Sequence, residues 1–226
     1  METGGKEMKK RTAVFIAACM LMMTASSFAI TKTIDNFERN SDLKNPEWWK
    51  FDGVTVSVTK NPAAKPGDKN AKEAQKYSLT LRGSARNWYV GGIGTYTGMD
   101  AAAFTGIEMA IFGNGEGSGT MRIELYDDDK GSYQTLYDKN WVPLKDDLWT
   151  YTMSVNWKGW QKIYIPFSSF AVSNPGRGDG RMNFGQEKDS GGLLQMQIIF
   201  TAGEKDGEIN MKLDNVKLIA KEDAAD

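Results

Sequence analysis

Four short segments alternate so that polar and aromatic side chains gather on one side of an extended chain. Glu108 and Phe112 alternate with Ile107, Met109 and Ile111. Arg122, Glu124 and Tyr126 alternate with Met121, Ile123 and Leu125. Lys162 and Tyr164 alternate with Ile163, Ile165 and Phe167, and Gln195 and Gln197 with Leu194, Met196, Ile198 and Phe200. At a period of two, the aliphatic set faces a core and the other set faces away from it. If the four strands share a sheet, Glu108, Arg122, Glu124, Tyr126, Lys162, Tyr164, Gln195 and Gln197 form one polar, partly aromatic surface. Such a surface suits sugar recognition. Flat rings cover the C–H faces of a pyranose, and planar Arg, Glu and Gln groups bond hydroxyl pairs in fixed geometry. A plain solvated sheet face, which any sandwich has, is the competing reading, and the residues alone leave both open. Trp88, Tyr89 and Tyr96 form a second aromatic set, either a binding rim or core packing beside neighbouring glycines.

Other chemistries are excluded or weak. The chain has no histidine and its one cysteine is Cys19, which removes histidine acid–base catalysis, zinc sites and thiol catalysis from the mature protein. The formal net charge is −1 and no basic patch stands out, so nucleic acid is not an expected partner. Glycoside hydrolysis needs only two carboxylates some 5–9.5 Å apart. Glu108 and Glu124 are the pair that neighbouring strands would bring together, but nothing else marks a catalytic site, and the reading is non-enzymatic. Asp127-Asp128-Asp129-Lys130-Gly131 has the look of a calcium loop. Counted from Asp127, however, the sixth and twelfth positions hold Ser132 and Asp138, where a helix–loop–helix site needs Gly and Glu, so a polar hairpin turn is expected. Arg177-Gly178-Asp179 is read as a chance tripeptide in a glycine-rich loop.

The elements that would position these residues are short strands. Besides the four segments above, Ile34–Phe37, Val54/Val56/Val58, Tyr77/Leu79/Leu81, Trp149–Trp157 and Ile209–Ile219 read as strands, the last with an Asp214-Asn215 break before Val216. Asn45–Phe51 reads as a turn leading to an aromatic cluster and Lys60–Lys76 as a loop or short surface helix. Gly113–Gly119 reads as a hairpin loop and Ser173–Gly192 as a long polar one. Glycines inside the strand-like Arg86–Thr97 stretch indicate bulges or a close approach by something else. About ten strands without a long helix predict two antiparallel sheets packed face to face. Ahead of them, Lys9, Lys10 and Arg11 form a basic region, Thr12–Met23 an apolar one, and Ser27-Phe28-Ala29 a cleavage site. Residues 1–29 are thus an N-terminal extension and signal peptide, too short in its apolar run for a permanent transmembrane span. Residues 30–226 form a single domain with a short polar C-terminal tail. Ile16-Ala17-Ala18-Cys19 leaves a lipid anchor at Cys19 as the minor alternative.

Three motifs in order, Asp35-Asn36-Phe37-Glu38, Trp160-x-Lys162-Ile163-x-Ile165-Pro166-Phe167-x-x-Phe170 and Leu213-Asp214-Asn215-Val216, resemble family 11 carbohydrate-binding modules. They also resemble the domain of complex I intermediate-associated protein 30. Both are galactose-binding-like β-sandwiches, and the resemblance spans residues 33–219. It implies an all-β, two-sheet antiparallel jelly-roll sandwich and a ligand cleft on one sheet lined by tyrosines and polar residues. It also implies a structural calcium where the first and last strands meet. Glu38 and Asp214 stand at the motif positions for that ion and Asp35 is a further candidate, while an Asx-turn at the strand kink is the alternative for Asp214. The expected function is non-catalytic binding of a glucan-like polysaccharide or oligosaccharide by an exported, secreted or periplasmic, cell-surface-associated protein. A self-assembling cell-envelope or filament-sheath component and an assembly factor are the readings left open.

Overall fold

A computed structural model describes residues 30–39, 43–44, 46–61, 75–129, 131, 133–187 and 189–220. The expected signal peptide, the tail from 221 onward and most of the Lys60–Lys76 segment lie outside the described residues. Two six-stranded antiparallel sheets make up the fold. The first runs β3 (Thr55–Lys60), β4 (Tyr77–Ser84), β12 (Glu208–Ile219), β6 (Gly106–Asn114), β9 (Lys158–Pro166), and β1 (Thr31–Asp35) also pairs with β12. The second runs β10 (Ala171–Val172), β8 (Asp147–Ser154), β7 (Thr120–Asp127), β11 (Leu193–Thr201), β5 (Tyr89–Met99), β2 (Trp48–Asp52).

The inner faces follow from the alternation. Leu79, Leu81, Ile107, Met109, Ile111, Met211, Leu213 and Leu218 of the first sheet meet Met121, Ile123, Leu125, Met196, Ile198 and Phe200 of the second, all fully buried. Each such side chain contributes about 1.5–3 kcal/mol of burial before chain entropy is charged.

The strand order corrects one expectation. Gly113–Gly119 is not a hairpin loop, because β6 and β7 lie in different sheets. Both strands carry a wholly aliphatic face, and these faces meet across the core rather than side by side. A 3₁₀ turn at Glu116–Ser118, flanked by Gly115 and Gly119 at φ 101° and 105°, makes the crossing. Asp127 to Asp147 does join paired neighbours, β7 and β8, but through a long excursion, residues 128–146, rather than a tight turn.

Among the places where register shifts, two bulges, in β12 and β11, serve the core directly. In β12, Asn215 has φ 50° and the ladder to β6 slips between Asp214 and Lys217, which keeps Met211, Leu213, Val216 and Leu218 all inward. In β11, both ladders slip between Leu193 and Gln195. Leu193 therefore enters the core, and Leu194, expected there, instead clusters with Tyr126 and Leu148. Of the Asn45–Phe51 segment read as a turn before an aromatic cluster, Trp48–Phe51 belong to edge strand β2, paired along β5.

Candidate functional site

The eight polar candidates separate onto two surfaces. Arg122, Glu124 and Tyr126 on β7 and Gln195 and Gln197 on β11 belong to the second sheet. Glu108 on β6 and Lys162 and Tyr164 on β9 belong to the first. Outer faces of opposing sheets point away from each other, so the single surface expected from the sequence is not formed. On the first sheet Glu108 pairs with Lys217 at 2.8 Å and the Tyr164 hydroxyl lies 3.1 Å from that of Thr105. The Glu108/Glu124 carboxylate pair is likewise not assembled.

The outer face of the second sheet is built in rows fixed by register. One row reads Trp49, Gly94, Gln197, Glu124, Thr150, and the next reads Phe51, Gly92, Ile199, Arg122, Thr152. A third reads Tyr96, Gln195, Tyr126, Leu148. A Cβ at Gly94 would collide with the Trp49 indole, and one at Gly92 with the Phe51 ring. Both rings therefore pack directly against β5, and they are the close approach consistent with the glycines there. Tyr96, 69% exposed, stands beside Trp49 with ring centroids 4.9 Å apart.

The 128–146 excursion continues this aromatic surface. Tyr137 sits edge-on to Tyr126 at 6.2 Å, and its hydroxyl accepts a 2.6 Å hydrogen bond from Gln195 Nε2. Trp141 packs on Tyr137 at 5.8 Å and is 79% exposed. Tyr126, expected to offer a stacking face, is 2% exposed, because Tyr137 covers it. It serves instead as part of the floor, donating from its hydroxyl to Glu124 Oε2 at 3.1 Å. Arg122 holds Glu124 Oε1 through Nε and Nη2, at 2.9 and 2.7 Å. Burial, then the Glu124 carboxylate, pushes the Tyr126 phenol well above its ordinary range, so it remains a donor. Burial also raises Tyr137. Of the second aromatic set, Trp88 is half-exposed with φ 74° at the entry to β5, and Tyr89 donates to Asp52 Oδ2 at 2.6 Å. Both are surface residues rather than core.

Elsewhere, a concavity of about 1060 Å³ lined by Asp52, Arg82, Arg86, Tyr89 and Asn210 opens where the sheets part at one end. It offers one ring, Tyr89. The outer face of the second sheet presents Trp49, Phe51, Tyr96, Tyr137 and Trp141 together, the better match to a pyranose chain.

Asp35, Glu38 and Asp214 do gather where the first and last strands meet, but their oxygens already accept N–H groups. Asp35 Oδ1 takes Phe37 N at 2.8 Å, and its Oδ2 takes Trp48 Nε1 at 2.8 Å and Arg39 Nη2 at 2.7 Å. Asp214 takes Gln75 N at 2.9 Å and Asn215 N at 2.7 Å, and Glu38 Oε1 takes Tyr77 N at 2.7 Å. A cation on these oxygens would have to displace or face those N–H dipoles. Burial raises the Asp214 carboxyl to about 7. The Gln75 and Asn215 N–H groups oppose this, and Glu38 and Asp35 add to it.

Residues 23–220 match the profile of the surface glycan-binding protein B xyloglucan binding domain. The chain belongs to that family. Solved structures give the same jelly-roll architecture. A family 11 carbohydrate-binding module from Clostridium thermocellum, in complex with a β-1,3-1,4-mixed-linked tetrasaccharide, superposes with TM-score 0.53 at 18% identity, covering 84% of this chain and 95% of that one. The same family's module of the cellulosomal cellulase Lic26A-Cel5E of Clostridium thermocellum gives 0.53 at 20%, over 88% and 100%. An exo-β-agarase gives 0.51 at 11%, over 84% of this chain and 25% of the enzyme. No curated protein sequence matches. As a member of the xyloglucan binding domain family the chain is a carbohydrate-binding β-sandwich.

Proposed function

We propose that this xyloglucan binding domain family member holds xyloglucan, or a glucan chain of similar backbone, on the outer face of its second sheet without cleaving it. The observation that carries the reading is the run of rings presented along one face: Trp49 and Phe51 packed against β5, Tyr96 beside them, then Tyr137 and Trp141. Trp49, Tyr96 and Trp141 supply stacking faces for successive sugar rings. Gln197 and Arg122 supply planar hydrogen-bonding groups between them, and the buried Glu124 and Tyr126 fix Arg122 from below. The separation of Glu108 from Glu124 across the sandwich supports binding rather than hydrolysis. A signal-type N-terminus and the family's surface glycan-binding name support placement outside the cell, at its surface. The intact mass of the exported protein distinguishes a chain starting at Ile30 from one lipidated at Cys19. Affinity gels and calorimetry with xyloglucan test the site. Tyr96→Ala and Trp141→Ala should each weaken binding by about 5- to 150-fold, the equivalent of one stacking ring at 1–3 kcal/mol, with unchanged melting. Wild-type affinity in both variants would remove the site from this face.

A further inference from the structure

Asp129 two residues beyond β7, Asp147 at the start of β8 and Asp179 in the 173–192 connection each bring one carboxylate oxygen into a cluster, with those oxygens within 4.8 Å of one another. Ligands 2.3–2.6 Å from a calcium ion stand at most about 5 Å apart, so the spacing suits a shared ion. The neighbouring atoms point the same way. Asp147 is fully buried, yet its Oδ1 has no hydrogen-bond donor, and Asp129 Oδ1 has none either. The other oxygens are held in place by backbone: Asp129 Oδ2 accepts Asp147 N at 2.8 Å and Asp147 Oδ2 accepts Gly180 N at 2.6 Å. Gly178 lies so close that a Cβ there would collide with both the Asp129 and Asp147 carboxylates. A side chain at that position would push the loop away from the acids. Asp127, also fully buried, adds a fourth carboxylate beside them. No ion pair between described residues reaches any of the four.

Buried carboxylates without a cationic partner are costly, and two of these oxygens, Asp129 Oδ1 and Asp147 Oδ1, have no hydrogen-bond donor to offset that cost. We propose that Asp129, Asp147 and Asp179 bind a calcium ion that ties the 128–146 and 173–192 loops to the second sheet. An all-oxygen, all-carboxylate set selects a hard cation, and irregular loop ligands suit calcium better than octahedral magnesium. The helix–loop–helix spacing rule misses the site because its third ligand arrives from a distant loop, within the Arg177-Gly178-Asp179 tripeptide. The 128–146 loop carries Tyr137 and Trp141, so the ion also sets the wall of the glycan face; this last step rests on the proposed function.

Calorimetric titration of chelator-stripped full-length mature protein with calcium chloride, magnesium chloride as comparison, tests the ion alone. The exposed Asp179 can be changed without disturbing the core. Asp179→Asn should weaken calcium binding at least about tenfold, the effect that even an outer-shell partner has on a metal site, while Asp214→Asn should leave it unchanged. No calcium uptake by wild type, equal affinity in Asp179→Asn, or loss only in Asp214→Asn would each overturn the site. Xyloglucan affinity in chelator against calcium is the second readout. If calcium binds and Asp179→Asn abolishes it while no glycan binds at all, the ion site stands and the glycan reading falls. If wild type binds both but glycan affinity ignores calcium, the tie to the wall is wrong.

Discussion

Gly94→Ala is the sharpest probe of the proposed glycan face, because it perturbs a ring without removing it. The added Cβ would lie 2.5 Å from Cε2 and Cζ2 of Trp49 and 2.8 Å from its Nε1. Ordinary carbon contacts are 3.5–4.0 Å, so the indole must lift by roughly 1 Å or swing aside. Overpacking of this kind costs about 1–3 kcal/mol of stability. A displaced ring loses its stacking contribution of about 1–3 kcal/mol, or about 5- to 150-fold in glycan dissociation constant. Trp49→Ala should lose a similar amount by deletion. In the Trp49→Ala background the three atoms nearest the new methyl are gone, so Gly94→Ala should then cost much less than it does in wild type. The double-mutant cycle therefore has a large coupling term, measurable by melting and by xyloglucan calorimetry. Additive effects, or wild-type binding and melting in Gly94→Ala alone, would mean that Trp49 does not lie on the strand and that the ring platform is misread.

Three further outcomes follow from the same structure. Leu125→Ala, at a fully buried core position, should cost about 2–5 kcal/mol in denaturant unfolding, and Tyr126→Ala should also destabilise, since Tyr137 packs over it; a Tyr126→Ala protein as stable as wild type would mean that the ring is not floor. Asp35→Ala strands the Trp48 indole N–H and the Phe37 N–H in the interior and should cost about 2–5 kcal/mol equally with calcium and with chelator, whereas a deficit present only with calcium would make Asp35 a metal ligand. Asp214 keeps its proton to about pH 7 when folded but only to about 3.8 when unfolded. Between those values the native state holds the extra proton, so this group's contribution to stability declines as pH rises; Asp214→Asn should flatten that decline in melts from pH 4 to 8, and an unchanged profile would refute the assignment.

The strands and their inner faces were legible because their signal is local: a period of two in Ile, Leu, Met and Val says which side is buried regardless of partner. What alternation cannot say is which strands are neighbours. Glu108, Lys162 and Tyr164 were placed with Arg122 and Gln197 because their patterns match, and the crossing at Glu116–Ser118 puts them on opposite sheets. Leu194 was misplaced because a bulge of one residue inverts the pattern with no mark in the sequence. Gly92 and Gly94 did announce a close approach, but not that Phe51 and Trp49 make it. Tyr137 and Trp141 sit in an irregular segment where periodicity gives no orientation. The spacing rule for consecutive ligands passes over the Asp127-Asp128-Asp129 run, because it cannot find a ligand that folding delivers from Asp179.

The two outer faces differ in ways that favour the second sheet as the proposed glycan surface. On the first sheet, charges are joined to each other across strands, as in Glu108 with Lys217, and Lys212 lies near Thr59 and Asn61. Its aromatic pair, Phe112 with Trp160, is packed edge to face with Trp160 buried. On the second sheet, edge strand β2 lays its rings over a glycine-lined neighbour. Among the described residues the exposed aromatic side chains are Trp88, Tyr89, Tyr96, Tyr133 and Trp141, all on β5, at its entry, or in the 128–146 loop that leaves this same sheet. Apolar rings held in water are unfavourable unless something covers them. A chain of pyranose rings covers flat aromatic surface while leaving its own hydroxyls to Arg122, Gln197 and solvent. The calcium proposed at Asp129, Asp147 and Asp179 sits at the root of the loop that supplies Tyr137 and Trp141. Fold and site are therefore linked through one sheet: β5 glycines seat half of the rings, and the acidic root of the β7–β8 excursion seats the other half.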